Sequence, residues 1–319
     1  MAREAGGAPA PIGLSVLLRL AGPVILARLG IMAMGLTDAI VVGRYSAREL
    51  GYQALGWAPT AIILTMSVGL TSGVQVMTAR YIGQGRPEAA GGVLRRGLVY
   101  SLWIGIASTA ALILAGPPFL RAMGLSPDLA AGAGRALVVF ALSLPPYLAA
   151  VAASQFLEAL ARPTPGMVAM WIANAVNLGL DLLLVPGAFG LAPLGAVGAA
   201  WSTCGARVVL AIMLLAYIAT MKDARALGVF ARPADGRAAA AEQRRIGYGA
   251  GVSYFFETAA FGGMNIIAGW LGALAVATYA VVLNVAAFVF MIPLGLATAP
   301  TTPGACAGRR GWGSRPAGW

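Results

Sequence analysis

Three carboxylates lie inside long apolar segments of the sequence, where a charged group is costly. They are Asp38, Asp181 and Glu257, out of eleven acidic residues in the chain. A charge at the centre of a bilayer costs about 2.5–3.5 kcal/mol on insertion scales. Carboxylates in such segments are typical of sites that bind a proton or a cation. The other eight acids fall in connections or near segment ends: Glu4, Glu49, Glu88, Asp128, Glu158, Asp223, Asp235 and Glu242.

Asp181 shares one face of its segment with two amides. Asn174, Asn177 and Asp181 have the spacing i, i+3, i+7, which places all three on one side of a helix. Amide and carboxylate oxygens suit a hard cation, and an amide can equally hydrogen-bond a carboxyl that carries a proton. The hydroxyl of Thr203, one segment further on, could complete such a set of oxygens but does not by itself indicate a site. The alternative is that these groups only form hydrogen bonds between helices.

For Asp38 and for Glu257 the sequence likewise allows either a functional or a purely structural role. Asp38 is either a proton or cation site or an interfacial carboxylate that pairs with Arg44. Glu257 follows Tyr254 and two phenylalanines, and apolar surroundings favour the protonated form of a carboxylate. The aromatic rings would also attract an organic cation. The simpler alternative for Glu257 is a packing contact with a hydroxyl or an arginine.

The elements that must position these groups are membrane-spanning helices. Apolar residues make up 59% of the 319 residues and charged residues only 10%, with a mean hydropathy of +0.81, whereas a soluble domain carries about 25% charged residues. We predict an all-α polytopic membrane bundle of about eight helices. The runs are 14–44, 51–80, 94–120, 129–160, 164–186, 194–221, 246–270 and 275–299.

The basic residues predict the orientation of the bundle. With the N-terminus in the cytoplasm, 16 of the 22 basic residues fall in cytoplasmic segments and 4 in external ones, as expected from the positive-inside rule. The net charge of +11 does not indicate nucleic-acid binding, because the arginines lie in the gaps between apolar runs.

Several chemistries are excluded by residue type. The chain has no histidine and two isolated cysteines, Cys204 and Cys306, so imidazole metal sites, Ser-His-Asp catalysis and a disulfide framework are not expected. No phosphate-binding Walker loop is present, which argues against ATP as the energy source. We therefore expect a protein that is not an enzyme and needs no organic cofactor.

A faint internal repeat suggests the domain organisation. Residues 69–73 (Gly-Leu-Thr-Ser-Gly) and 295–299 (Gly-Leu-Ala-Thr-Ala) end the second and eighth runs, and such repeats are common in secondary transporters. We predict a cytoplasmic N-terminus at 1–13, a six-helix lobe at 14–221, a cytoplasmic linker at 222–245 and the first two helices of a second lobe at 246–299. Residues 300–319 are expected to be a disordered tail that follows a frameshift or truncation, or else an ordinary cytoplasmic tail.

Five segments together resemble one transporter family. Residues 37–43 (Thr-Asp-Ala-Ile-Val-Val-Gly) resemble a Val-Asp-Thr-x-x-x-Gly signature, and residues 79–86 resemble an Ala-Gln-x-x-Gly-Ala-Gly turn, with Arg80 in place of glutamine. Residues 174–181 resemble an asparagine–aspartate segment, residues 195–203 a Gly-Val-x-Gly-Ala-Ala-x-Ala-Thr segment, and residues 291–297 a Pro-x-Gly-x-Ala motif. On these segments the chain resembles the multidrug and toxic compound extrusion (MATE) family.

The resemblance implies a function and a set of site residues. Family members are two-lobed antiporters in the membrane, for bacteria the inner membrane, that expel cationic or amphiphilic compounds in exchange for Na⁺ or H⁺. By resemblance, Asp38, Asn177, Asp181 and Thr203 form the cation or proton site. Glu257, with Asn174 and Tyr254, is then a coupling or substrate-binding group, and we expect a monomer.

Two other interpretations remain open at this point. One is a related lipid-linked oligosaccharide flippase, for which Arg28 and Arg207 are the candidate pyrophosphate ligands. The other is a non-transporting fragment of a MATE antiporter.

Overall fold

The computed structural model describes residues 14–122, 127–231 and 237–270, together with the single positions Val282, Ala286 and Val289. Within these ranges the chain forms nine α-helices. They are α1 (Leu14–Tyr45), α2 (Ala47–Thr71), α3 (Gly73–Gly83), α4 (Ala90–Ala122), α5 (Pro127–Leu142), α6 (Leu144–Ala159), α7 (Thr164–Leu184), α8 (Gly195–Thr220) and α9 (Arg237–Trp270).

Most of the described helices are long and apolar enough to cross a bilayer. Five stretches meet this condition, and the pair α5 and α6, bent by 41°, makes a sixth. Because every backbone N–H and C=O of a span must be satisfied without water, helices are the expected solution. The predicted all-α membrane bundle is therefore confirmed. The run predicted at 275–299 is described only at three helical positions, and residues 1–13 and 300–319 lie outside the described residues.

The fourth predicted run, 129–160, is broken at Ser143. Pro145 and Pro146 follow the break and cannot donate the backbone hydrogen bonds of a continuous helix. The Ser143 hydroxyl donates to the Phe140 carbonyl at 2.6 Å and is fully buried. The break therefore places a polar side chain in the middle of the lobe.

Small residues let the helices of the lobe approach closely. A Cβ atom added to Gly56 of α2 would lie 2.8 Å from the Ala133 carbonyl oxygen of α5, and one added to Gly198 of α8 would lie 2.8 Å from the Leu184 carbonyl oxygen of α7. These distances are below van der Waals contact, so the two positions require glycine. Close approach of this kind is how helices gain packing energy in a membrane, where there is no hydrophobic driving force between them.

The start of α8 is fixed to the start of α2. Ser46 caps α2 by accepting from the Glu49 backbone N–H at 3.4 Å. The Glu49 carboxylate in turn accepts from the Ala196 backbone N–H at 2.8 Å, and a negative charge is favourable at a helix N-terminus. This contact sets the axial position of α8, and hence the height of Thr203 and Arg207.

Part of the predicted linker is folded against the lobe. Leu227 is buried, and its carbonyl accepts from the Gly91 backbone N–H of α4 at 2.7 Å. The Arg162 guanidinium donates twice to the Asp223 carboxylate, at 2.9 and 2.7 Å, and these hydrogen bonds hold the pKa of Asp223 below its usual value. The next helix, α9, begins at Arg237, nine residues before the apolar run that predicted it.

Candidate ion-binding site

Four side chains predicted to form a site meet inside the lobe. Asp38 comes from α1, Asn177 and Asp181 from α7, and Thr203 from α8, three helices that pack against one another. Their exposed fractions are 4%, 0%, 0% and 3%, in that order. The Thr203 hydroxyl donates to Asp38 Oδ2 at 2.8 Å, and the Asp38 carboxyl also lies within interaction range of Asp181 and Asn177. The two carboxylates therefore face each other, and neither faces acyl chains.

Most of the polar atoms in this cluster have no hydrogen-bond partner among the described residues. Asp38 Oδ1, both amide atoms of Asn177 and both carboxylate oxygens of Asp181 are buried without one. Two ionised carboxylates are both acceptors, so the contact between Asp38 and Asp181 satisfies neither until a proton or a cation lies between them. Because buried polar groups are normally paired, orphaned oxygens converging on one point indicate a site for a positively charged ligand.

A buried arginine lies one helical turn from Thr203. Arg207 of α8 is 5% exposed, and its Nη1 donates to Ser143 Oγ at 2.6 Å. Its guanidinium carbon lies 4.4 Å from the Tyr147 ring centroid and 5.3 Å from that of Trp57. Arg207 and Asp38 also attract each other electrostatically. The aromatic rings and the serine thus hold a fixed positive charge beside the acidic cluster.

The charges of the lobe interior nearly balance. Among the described residues, the buried charged side chains are Asp38, Asp181 and Arg207, so their sum is minus one when both acids are ionised. A net charge is costly in a medium of low dielectric constant. One monovalent cation, whether a proton or Na⁺, makes the interior neutral.

Asn174, Tyr254 and Glu257 are not part of this cluster. Asn174 is half-buried, and its amide nitrogen donates to the Met170 carbonyl of its own helix at 2.9 Å. Glu257 is exposed on α9, and Tyr254 on the same helix is half-buried. Their proposed coupling or substrate-binding role stays a prediction.

A second polar group lies elsewhere in the lobe and was not singled out from the sequence. Glu158, in the last turn of α6, is half-buried and accepts from Gln75 Nε2 and Ser154 Oγ, each at 3.3 Å. It lines a cavity of about 50 Å³ together with Arg28, to which it is electrostatically attracted. In the sequence Glu158 lies near the end of an apolar segment, and that position predicts a solvent-exposed side chain.

Comparison with known proteins defines the family. The MatE family model matches residues 23–183, just over half of the chain. A probable multidrug resistance protein NorM from Caulobacter vibrioides is 60% identical over 283 residues, which are 89% of this chain and 60% of that protein. A probable multidrug resistance protein NorM from Aromatoleum aromaticum is 33% identical over 282 residues, or 88% of this chain and 60% of that protein. The chain thus spans about 60% of the length of these relatives.

Solved structures show the same fold. A multidrug resistance MATE family transporter of the MOP superfamily in an outward-facing conformation superposes with a TM-score of 0.82 at 23% identity, over 92% of this chain and 64% of that chain. A MOP superfamily transporter from Pyrococcus furiosus superposes with a TM-score of 0.79 at 23% identity, over 92% of this chain and 65% of that chain. The apolar spans and the helical bundle define an integral membrane protein. Within that class, the chain belongs to the MatE family.

Proposed function

We propose that this protein acts in multidrug efflux as a secondary transporter, exporting small organic cations or amphiphilic compounds in exchange for Na⁺ or H⁺. The observation that carries the proposal is the buried cluster of Asp38, Asn177, Asp181 and Thr203, whose unpartnered oxygens converge inside the lobe. The relatives described as multidrug resistance proteins support the export function.

The charge balance supplies a reason for exchange. Without a bound cation the lobe interior carries a net charge of minus one, and with one monovalent cation it is neutral. These two states favour different packing of the surrounding helices, because the two carboxylates repel each other until a positive charge separates them. An ion and a drug are then coupled through their different affinities for the two conformations of the lobe.

The donor set fits either coupling ion. Carboxylate, amide and hydroxyl oxygens are the ligands that a hard cation such as Na⁺ prefers. The same carboxylate pair can hold one shared proton, which needs no further ligand. We propose Na⁺ or H⁺ as the ion, with no other cofactor, and the protein acts by transport and not by catalysis.

We further propose that the protein lies in the inner membrane of a bacterium with its N-terminus in the cytoplasm. The distribution of arginine between the connections supports this orientation. The lipid bilayer is then its permanent partner, and a monomer is the expected state.

The disposition of the arginines favours the antiporter over the flippase. Arg207 is enclosed by Tyr147, Trp57 and Ser143, and Arg28 faces Glu158 across the small cavity. Each of these two cations already has its own partners. A pyrophosphate group would need several arginines that converge on one open cavity, and Arg28 and Arg207 do not form such a group.

Drug efflux in a strain that lacks its own pumps tests the proposal. Asp38→Asn keeps the shape of the side chain and removes its charge, so we expect drug resistance and dye efflux to fall to the level of the empty vector. Glu88→Gln is the matched control, because it removes one charge from an exposed carboxylate and should leave efflux unchanged. Full efflux by the Asp38→Asn protein, at equal amounts in the membrane, would disprove the proposed role of the cluster.

A further inference from the structure

An open groove with basic and apolar sides lies away from the ion site. It runs between the last turn of α4, the first turns of α5 and the start of α8, and has a volume of about 660 Å³. Arg121 and Arg135 line it together with Pro117, Gly134, Val138 and Val197. This volume lies within the range of about 300–1,000 Å³ that is typical of small-molecule sites.

Neither arginine of the groove has an ion-pair partner in the described part of the chain. Arg121 and Arg135 are both exposed. The nearby carboxylate of Asp128 is instead paired with Arg48 and accepts a hydrogen bond from Tyr52 at 2.6 Å. The groove therefore has two exposed positive charges that form no close ion pair with a described carboxylate, although Arg135 and Asp128 attract each other at longer range. The remaining wall of the groove is apolar.

The position of the groove indicates which medium it faces. Arg121 lies one residue from the end of α4, and Arg135 lies two turns into α5, so both are near one end of the bundle. On α4, Leu114 is 77% exposed and Phe119 is 54% exposed, as expected for side chains that contact acyl chains. A basic rim above an apolar wall at the membrane interface matches the headgroup and the chain of a phospholipid.

We infer that this groove binds a phospholipid with an acidic headgroup. The two guanidinium groups would hold the phosphate, for which arginine has a well-suited arrangement of donors. An acyl chain would lie along Pro117, Val138 and Val197. This site is separate from the ion cluster, and it would stabilise the contact between α4, α5 and α8.

Lipid binding to the purified protein tests the inference. Native mass spectrometry would compare retention of phosphatidylglycerol with retention of phosphatidylcholine. Loss of one hydrogen-bonded contact of ordinary strength weakens binding by about fivefold. We therefore expect Arg121→Gln and Arg135→Gln each to reduce the preference for phosphatidylglycerol by about fivefold. Arg44→Gln, which changes an exposed arginine at the end of α1, should have no such effect.

A second variant separates groove binding from simple charge attraction. Gly134→Leu keeps both arginines and places a side chain in the groove, where an added Cβ atom would meet Pro117 Cβ only at 3.8 Å. We expect it to weaken retention of phosphatidylglycerol as well. The inference is overturned if this variant retains the lipid as the parent protein does, or if Arg44→Gln has the same effect as the groove arginines. Displacement of the lipid by inorganic phosphate would also overturn it, because the site would then be one for a free anion.

Discussion

Exchanging Arg207 for methionine removes the buried positive charge beside Asp38 while keeping an unbranched side chain. The change also removes the hydrogen bond to Ser143 and the contacts with the Tyr147 and Trp57 rings. Loss of one partner from a directly paired buried charge costs about 3–5 kcal/mol, largely because the other charge is left uncompensated. Arg207 and Asp38 attract each other without direct contact, so we expect the free energy of unfolding of Arg207→Met to fall by at most that amount.

A second substitution isolates the electrostatic part of this loss. Asp38→Asn removes one of the two buried acids, so the Asp38→Asn/Arg207→Met protein again holds one net negative charge in its interior. The double variant should therefore be more stable than the sum of the two single effects by about 0.5–3 kcal/mol, which is the range for energetically coupled residues. The hydrogen bond and ring contacts of Arg207 are not restored, so the rescue is partial.

Reversible unfolding of the purified protein in detergent micelles measures this coupling energy. Arg28→Met combined with Asp38→Asn is the matched control, since Arg28 faces Glu158 and not Asp38. The control pair should be additive within about 0.5 kcal/mol. Additivity of the Arg207 pair within the same limit would refute the view that Arg207 compensates the charge of Asp38.

Three further changes probe other contacts. Thr203→Val removes the donor to Asp38 Oδ2 and should weaken binding of the coupling ion about tenfold, measured by ion titration of the purified protein. The pair of Arg162 with Asp223 should contribute less than about 1 kcal/mol, because it is partly exposed. Since the pKa of Asp223 is lowered on folding, this contribution is present above about pH 4 and is lost on further acidification, as unfolding at several pH values would show. Gly69→Val places a Cβ atom 2.7 Å from the backbone of α9 and should lower the free energy of unfolding by about 1–3 kcal/mol.

Each of these changes has a matched control. Thr203→Ser keeps the hydroxyl and should retain ion affinity, so an equal loss in both variants would point to packing. The Asp223→Asn protein should be less stable than the parent at neutral pH and equally stable at low pH, where Asp223 of the parent is protonated. A stability difference that persists at low pH would contradict a contribution from the ion pair. Gly35→Val changes a glycine with no atom within 4 Å of an added Cβ and should be tolerated, unlike Gly69→Val.

The helical bundle and part of the acidic cluster could be predicted because they depend on residues close together in the sequence. Long apolar runs require helices in lipid, and the spacing of Asn177 and Asp181 places them on one helix face. That Asp38 and Thr203 join them depends on how α1 and α8 pack against α7. For those two residues the resemblance to a known family, and not residue spacing, gave the prediction.

Arg207 could not have been placed from the sequence. Its surroundings come from Ser143 and Tyr147, about 60 residues earlier in the chain, and from Trp57 on α2. Ser143 points to Arg207 because the helix breaks there. Prolines after Ser143 permit a break in the helix, but the side chain that Ser143 then meets depends on how the neighbouring helices pack.

The start of α9 was missed because hydropathy marks only the part of a helix inside the membrane. The segment before Ile246 contains charged residues, and this composition favours a linker. It also contains an alanine run, and alanine has the highest helix propensity. Gln243 is buried there and donates to the Val93 carbonyl at 3.2 Å, so contact with α4 stabilises a polar extension of the helix.

The central claim is that Asp38 and Asp181 bind and release the coupling ion, and infrared difference spectroscopy of the carboxyl groups tests it most directly. Spectra of the purified protein would be recorded on exchange of Na⁺ for a large organic cation, and separately on a pH step. We predict a carboxyl or carboxylate difference band in at least one of these experiments that disappears in both Asp38→Asn and Asp181→Asn and persists in Glu88→Gln. Bands that are unaffected by the loss of Asp38 and Asp181, or no ion-dependent band at all, would contradict the account.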